Sequence, residues 1–364
     1  MLLASKNNTH VLLNLCFLDD KGEFGGKNRS LQLKEIFEEN GYILTTIQKP
    51  KRPTFFSLLL WSLRYLLRFR LHRPICISAF REGGIRLHFF EQIFKAYPHI
   101  THYLQEGTGF GATISAPIVK SFEKKIIFTP ANIEGMAPYD KAWTHTIPLH
   151  LRLKEEFYYF RKADAVFCIS EEEAWLLRIA GVNAHFLPYI PPRKLLERIL
   201  LRRSNRIPDT KFGFLYFANF YNAPNILGLK RLMNDIQTSK IKLPYPLKVA
   251  GLGANTMKKY AEGVSGVEFL GELSTEQLEK CLLTCLAVVL FHHPTSGMLT
   301  RVPEMILSGI PIIGNLDALK AYCLFPCNTL VDNPKINSEI LKETVLLEKS
   351  KDFNAMFLKT FNDN

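Results

Sequence analysis

Val288 to Asn315 reads VVLFHHPTSGMLTRVPEMILSGIPIIGN. An apolar run ending at Phe291 leads into a turn around Gly297, an amphipathic stretch of helical period, and a second apolar run from Ile310 to Ile313. Strand, turn, helix and strand in that order make one crossover unit of a parallel sheet. Ser296, Gly297, Met298, Leu299 and Thr300 are predicted to open the helix, where backbone N–H groups lack intrahelical partners and point at an anion above the strand ends. Arg301 adds a fixed positive charge beside them. Glu304, one turn further on, is an acceptor-only carboxylate suited to two vicinal hydroxyls such as those of a ribose. A diphosphate joined to a ribose and a sugar matches that order of groups.

The same alternation extends in both directions. Toward the N-terminus, strands are predicted at His10 to Leu18, Tyr42 to Ile47, Pro74 to Ala79, Ile100 to Gln105, Lys125 to Thr129 and Ala165 to Ile169, with helical patterns between most of them. Gly25 and Gly26 stand just before the first helix. A second series is predicted at Phe212 to Ala218, Leu247 to Gly251, Val267 to Leu270, Ala287 to Phe291, Ile310 to Ile313 and Thr329 to Val331. Between the two lies YIPPRKLLERILLRRSNRIPDTK, where Pro191 and Pro192 stop a strand and Arg193 to Arg206 reads as solvated charge. The reading is α/β: two Rossmann-like, doubly wound parallel-sheet domains facing across a cleft, over residues 1–195 and 207–336, with helices in 337–364 packing back on the first. Ligands of such sheets bind beyond the C-terminal strand ends, which places Gly25, Gly26 and the loop after Phe291 on the functional edge.

The composition is compatible with two full cores: 364 residues, of which 47% are hydrophobic. The apolar runs fall short of the roughly 20 residues that cross a bilayer, and MLLASKNNTH lacks the order of a signal peptide. A cytoplasmic protein is expected, peripheral at most to the inner face of a membrane. The formal charge is +12, which favours anionic partners. No zinc-finger, helix-turn-helix or aromatic RNP pattern points to nucleic acid. Cys16, Cys76, Cys168, Cys281, Cys285, Cys323 and Cys327 fall mostly in apolar segments and read as core thiols, with no CxxC spacing for zinc.

The opening stretch, with ADAVFCISEEEAWLL, FLYFANFYNAPNILGLKRL, LKVAGLGAN, GVEFLGELSTEQLEKCL and the glycine loop after the first strand, resembles the group-one retaining glycosyltransferases of the GT-B fold. The resemblance runs from His10 to Asp332. It implies a donor that is a nucleotide diphosphate sugar, UDP- or GDP-linked, with no metal and no further cofactor. By resemblance the donor is held by Asn219, Gly251, Gly253, Phe269, Leu270, Ser296 to Thr300, Arg301 and Glu304. The acceptor, a glycan or a lipid-linked sugar of cell-surface polysaccharide synthesis, is presented near Gly25, Gly26, Asn132 and Glu134. Glu304, Arg301 and Asn132 are the candidate catalytic residues.

Three departures accompany the resemblance. Glu304, Ser308, Gly309 and Pro311 fill the second half of the family's glutamate motif, and its first glutamate falls on Ser296. The arginine and lysine that hold the leaving diphosphate fall on Asn219 and Asn225, leaving Arg301, or Lys230 and Arg231, to supply charge. The histidine of the Pro-His-Asn-Ile-Glu segment falls on Ala131. A retaining transfer in which the leaving phosphate takes the acceptor proton needs no protein base. The departures leave a second reading open, a catalytically altered or inactive homologue that binds nucleotide as the partner of another transferase. A nucleotide-sugar epimerase is a third.

Two further segments carry paired readings. His292 and His293 flank the donor loop, but side chains adjacent on a strand point to opposite faces, so the two do not chelate one ion. Pro53 to Arg73, PTFFSLLLWSLRYLLRFRLHR, combines apolar bulk, a tryptophan and arginines. It reads either as a helix lying in a lipid headgroup layer or as a buried helix with a basic end.

Overall fold

The computed structural model describes residues 10–14, 25–46, 54–69, 77–107, 113–136, 148–293, 297–319, 354 and 356–359. By packing, the chain divides into one unit of residues 1–189, 296–298 and 349–364 and a second of residues 190–295 and 299–348.

In the first unit the elements run β1 (His10–Asn14), α1 (Gly25–Glu39), β2 (Ile43–Thr46), α2 (Phe55–Arg68), α3 (Ile77–Ala96), β3 (Ile100–Glu106), α4 (Ser115–Lys120), β4 (Lys125–Thr129), α5 (Leu149–Phe160), β5 (Ala165–Cys168), α6 (Glu171–Ile179) and β6 (Ala184–Phe186). The second continues with α7 (Arg193–Asn205), β7 (Phe214–Phe217), α8 (Ala223–Gln237), β8 (Leu247–Ala250), β9 (Val267–Gly271), α9 (Thr275–Thr284), β10 (Ala287–Leu290), α10 (Arg301–Leu307), β11 (Ile312–Gly314) and α11 (Leu316–Leu319). Among the described residues every strand pairing is parallel, in the orders β2-β1-β3-β4-β5-β6 and β11-β10-β7-β8-β9. Parallel strands covered by helices on both faces must be apolar on both faces, and β4, β5 and β10 are buried almost throughout.

In each sheet the chain first winds one way and then returns to add strands on the other side. The reversal falls between β1 and β3 in the first unit and between β7 and β10 in the second. Crevices at the C-terminal strand ends open where the order reverses.

Four expectations are corrected by these elements. Ile77 to Ala79 belong to α3, not to a strand, and Pro74 to Cys76 lie outside the described residues. Apolar runs of this length do not distinguish strand from buried helix, and here the helical pattern continues for 20 residues. Ala184 to Phe186 add a short strand, β6, that the sequence reading left out. Arg193 to Asn205 form a helix, and Arg202 is buried, donating to both Glu279 carboxylate oxygens at 2.6 and 2.7 Å and to Ser308 Oγ at 2.8 Å. The basic linker is therefore a structural clamp over α9 and the end of α10, reinforced by Arg206, which donates to the carbonyls of Gly309 and Cys285. Finally, α10 starts at Arg301 with Thr300 as its cap, so Gly297, Met298 and Leu299 precede the helix. Thr329 to Val331 and most of the tail fall outside the described residues, but Phe357 and Leu358 are buried in the first unit's core against Phe37 and Phe167.

Two helices sit unusually close to their neighbours through glycine. Gly83 and Gly84 on α3 meet Tyr65 and Ser62 of α2, and a Cβ on Gly84 would lie 2.7 Å from the Ser62 nitrogen. On α8, a Cβ at Gly228 would fall on the Phe291 carbonyl and within 2.9 Å of the His292 Cα. Gly228→Ala gains about 1 kcal/mol of helix propensity, but it forces backbone against backbone where nothing rotates away. We expect a net loss of about 1–2 kcal/mol, read as a lower midpoint in denaturant or thermal unfolding; an unchanged or raised midpoint would contradict this packing.

Candidate functional site

In the second unit the C-terminal ends of β7 and β10 carry a connected polar network. The Arg301 guanidinium donates to the Phe217 carbonyl oxygen at the end of β7 and, at 3.3 Å, to Asn225 Oδ1. It also lies over the Phe217 ring, 5.5 Å from the centroid. Asn225 Nδ2 donates to the Asn219 carbonyl at 2.9 Å, and Asn219 Oδ1 accepts from the Tyr221 N–H at 2.9 Å. Tyr216, on β7, donates its hydroxyl to the Phe291 carbonyl at 2.7 Å. Burial holds the Tyr216 phenol well above its ordinary pKa, with the Arg301 charge pulling the other way, so it serves as a neutral donor. The loop after β10 is tied down again by Asn315, whose side chain accepts from the His292 N–H at 3.0 Å and donates to the His292 carbonyl at 2.8 Å.

The glycines at this edge have a backbone reason. Gly251 has φ +120° and approaches the backbone of Ala218; Gly253 has φ +75°, and its N–H donates to Glu272 at 3.2 Å. Gly297 has φ +81°, a left-handed turn just ahead of α10. Met298, Leu299 and Thr300 follow it half-buried, and the Val302 N–H closes a turn on the Leu299 carbonyl at 3.0 Å. Ser296 lies outside the described residues.

Glu304 is half-buried on the first turn of α10. Phe269 and Leu270, on β9, are half-buried as well, and Phe269 packs against the second unit's core. His292 is buried and His293 half-buried. Lys230 lies over the Tyr260 ring at 4.2 Å and Arg231 faces Asp235 and Asp317, both far along α8 from the β7 end. Of the proposed charge donors, Arg301 is thus the one brought to Asn225 and β7.

In the first unit, Gly25 and Gly26 form the first residues of α1. The next turn carries polar groups that sequence reasoning missed. Arg29 is buried, donating to Gln32 at 2.6 Å and to the carbonyls of Leu187 and Pro188 at 2.8 and 3.0 Å. Burial lowers its pKa to about 10, with the Glu106 carboxylate acting in the opposite sense. Ser30 donates to Glu106, the last residue of β3. These residues flank the reversal between β1 and β3, and the rule that strand ends at a reversal carry ligands could have singled out the Glu106–Gly107 strand end.

Asn132 and Glu134 lie after β4 on a loop held by two buried carboxylates. Glu173 accepts from the Ile133 N–H at 2.8 Å; Glu156 accepts from the Glu134 and Gly135 N–H groups at 3.0 and 2.7 Å. Burial raises the Glu156 pKa to about 8, partly opposed by the Gly135 and Glu134 amides and reinforced by the charges of Glu134 and Glu173. Among the described residues no group of three or more His, Cys, Asp or Glu side chains could hold a metal ion.

The sequence matches no family model and no curated protein sequence. Solved structures do match in shape over nearly the whole chain. Sucrose-phosphate synthase from Thermosynechococcus elongatus superposes with a TM-score of 0.61 at 13% identity, covering 97% of this chain and 93% of that one. The catalytic domain of Arabidopsis thaliana starch synthase IV, bound to ADP and acarbose, gives 0.54 at 10% identity, covering 97% and 91%. Anabaena HepE, in complex with UDP and glucose, gives 0.52 at 11% identity, covering 98% and 100%.

Because Glu156 favours its protonated form in the fold, its contribution to stability is complete below its ordinary carboxyl range and is lost as pH rises through about 8. Glu156→Gln keeps one of the two oxygen acceptors, at a cost that does not vary with pH, and removes that loss. The melting temperature of the variant relative to the parent should rise between about pH 5 and about pH 9; a constant difference would show that Glu156 is ionised throughout. With two parallel sheets of six and five strands and these neighbours, the chain has the two-domain, Rossmann-like GT-B fold.

Proposed function

We propose that this protein is a glycosyltransferase that moves a sugar from a nucleotide diphosphate donor, UDP- or GDP-linked, to a glycan or lipid-linked acceptor of cell-surface polysaccharide or glycoconjugate synthesis, with retention of configuration. The observation that carries the reading is the position of Arg301. Its guanidinium is held at the β7 end beside Asn225, the place where the resembling family has a cation for the leaving diphosphate. The charge missing from Asn219 and Asn225 is thereby supplied from α10. The fold adds support, since two proteins of the same shape were solved with a nucleoside diphosphate bound, ADP in one and UDP in the other.

In this mechanism Gly251 and Gly253 let the main chain approach the nucleotide, Phe269 and Leu270 cover the base, and Glu304 accepts from the ribose hydroxyls. Arg301 and the backbone amides of Gly297 to Thr300 stabilise the charge that builds on the departing diphosphate. That phosphate takes the acceptor proton, so Ala131 deprives the reaction of no base. Asn132 and Glu134, fixed by Glu156 and Glu173, face the acceptor. The departures at Ala131, Asn219, Asn225 and Ser296 favour one other reading, a donor-binding homologue that serves a companion transferase.

Release of nucleoside diphosphate from a panel of donors tests the proposal. The preferred donor should also raise the melting temperature. Arg301→Ala should lower kcat by about 10²-fold or more while the protein stays folded, and Glu304→Ala should weaken donor stabilisation. Stabilisation by donor without turnover, even with crude acceptor glycans, would move the assignment to the non-catalytic reading; absence of both would remove the donor site altogether.

A further inference from the structure

The outer face of α2 is apolar where a surface helix is ordinarily charged. At 100° per residue, Phe55, Leu59, Leu63, Phe56, Leu67 and Leu60 fall within one arc of about 140°. All six are exposed, Phe55 at 77%, Phe56 at 79%, Leu60 at 68% and Leu67 at 87%. The packed side lies outside that arc: Ser62 and Tyr65, at about 340° and 280°, are buried and settle into the space left by Gly84 and Gly83 of α3. α3 in turn packs on the sheet through Leu87, Phe90 and Phe94. The helix is thus anchored by a narrow, specific seam and presents its large side chains outward. Scattered exposed apolar residues need no explanation, whereas six on one stripe mark a contact surface.

Charge identifies what fits it. From Lys49 to Arg73 the sequence holds seven Lys and Arg and no Asp or Glu. Arg64 follows the apolar arc at its edge, at about 180° on the same wheel, and Arg68 lies further round at about 220°. Arg64 is half exposed, paired with Glu91 at 2.9 Å and lying 4.9 Å from the Trp61 ring centroid. Arg68 is exposed and bonds the Ser121 carbonyl at 3.2 Å. Arg64, through its ion pair and ring contact, is held at the border of the outward stripe. A second copy of the chain is a poor occupant, because a two-fold contact apposes the same surface and would bring two segments of like charge together. An anionic bilayer surface satisfies both features, accepting the apolar stripe between its acyl chains and the cations among its phosphates. Among the described residues no helix is long and apolar enough to cross a membrane.

We propose that α2 is a membrane-docking element, lying in the plane of an anionic lipid surface with Phe55, Phe56, Leu59, Leu60, Leu63 and Leu67 inserted. The contact needs no nucleotide, so its test is independent of the transferase reading. The full chain is floated with vesicles of phosphatidylcholine alone or of phosphatidylcholine mixed with phosphatidylglycerol. It should rise with the mixed vesicles and much less with the neutral ones. Combined Phe56→Ser, Leu60→Gln and Leu67→Gln should cut partition to mixed vesicles by about tenfold or more, since each loses apolar area that lipid would cover. Combined Lys51→Glu and Arg52→Glu should cut binding to mixed vesicles and leave the weak neutral binding unchanged. Should the apolar triple variant melt early, the charge pair gives the reading. A parent chain that stays in solution with mixed vesicles overturns the proposal. So do variants that float like the parent, and so does a parent dimer that the triple substitution converts to a monomer with flotation unaltered.

Discussion

The Arg301 guanidinium, held against the main-chain carbonyl that ends β7, is the contact on which the order of the second unit's C-terminal strand edge depends. From it a chain of bonds runs through Asn225 to the Asn219 carbonyl and on to Tyr221, ordering the segment between β7 and α8. The same guanidinium ties the start of α10 to the centre of the sheet. An asparagine at position 225 is well matched to this arrangement. It accepts from the arginine with its oxygen and donates to the backbone with its nitrogen, which a lysine could not do. A cation at 225 would also face Arg301 at the 3.3 Å contact distance, a repulsion of about 5 kcal/mol at an effective dielectric near 20.

The first unit holds its corresponding loops with acidic side chains. Glu173 and Glu156 accept from the amides after β4, and Glu106 accepts from Ser30 after β1. The backbone amides of Ile133, Glu134 and Gly135 are thereby fixed by buried side chains. Positioned loops of this kind are what a site assembled from strand ends requires.

Most strands were legible because parallel strands buried on both faces are continuous apolar runs, and Lys125 to Thr129 was read to the residue. Ile77 to Ala79 misled for the same reason, since an apolar run preceding a long helix carries no period of its own. β6 was too short, with His185 at its centre, to stand out. The start of α10 was displaced because Gly297 adopts a left-handed turn whose extent no local pattern fixes. The candidate donor residues were legible as motif positions, but the bond that brings Arg301 to Asn225 was not, because it joins residues 76 apart in sequence. Buried Arg29 and Glu106 escaped for that reason too: charge reads as surface until its partners are known.

That last point changes what a charge of +12 means. Arg29 and Arg202 are buried, and Arg206 is engaged on main-chain carbonyls, so these cations act as structural donors within their units. The excess positive charge available to a partner is correspondingly more localised than composition suggests. Lys49 to Arg73 is the stretch where cations accumulate without a single carboxylate in sequence, and it brackets the helix whose apolar side faces outward. Burying that stripe against α3 would have required the wide apolar groove that Gly83 and Gly84 replace with a backbone-close seam. The glycines thus fix which side of α2 is spent on folding, and the remaining side is left with a composition that water alone does not explain.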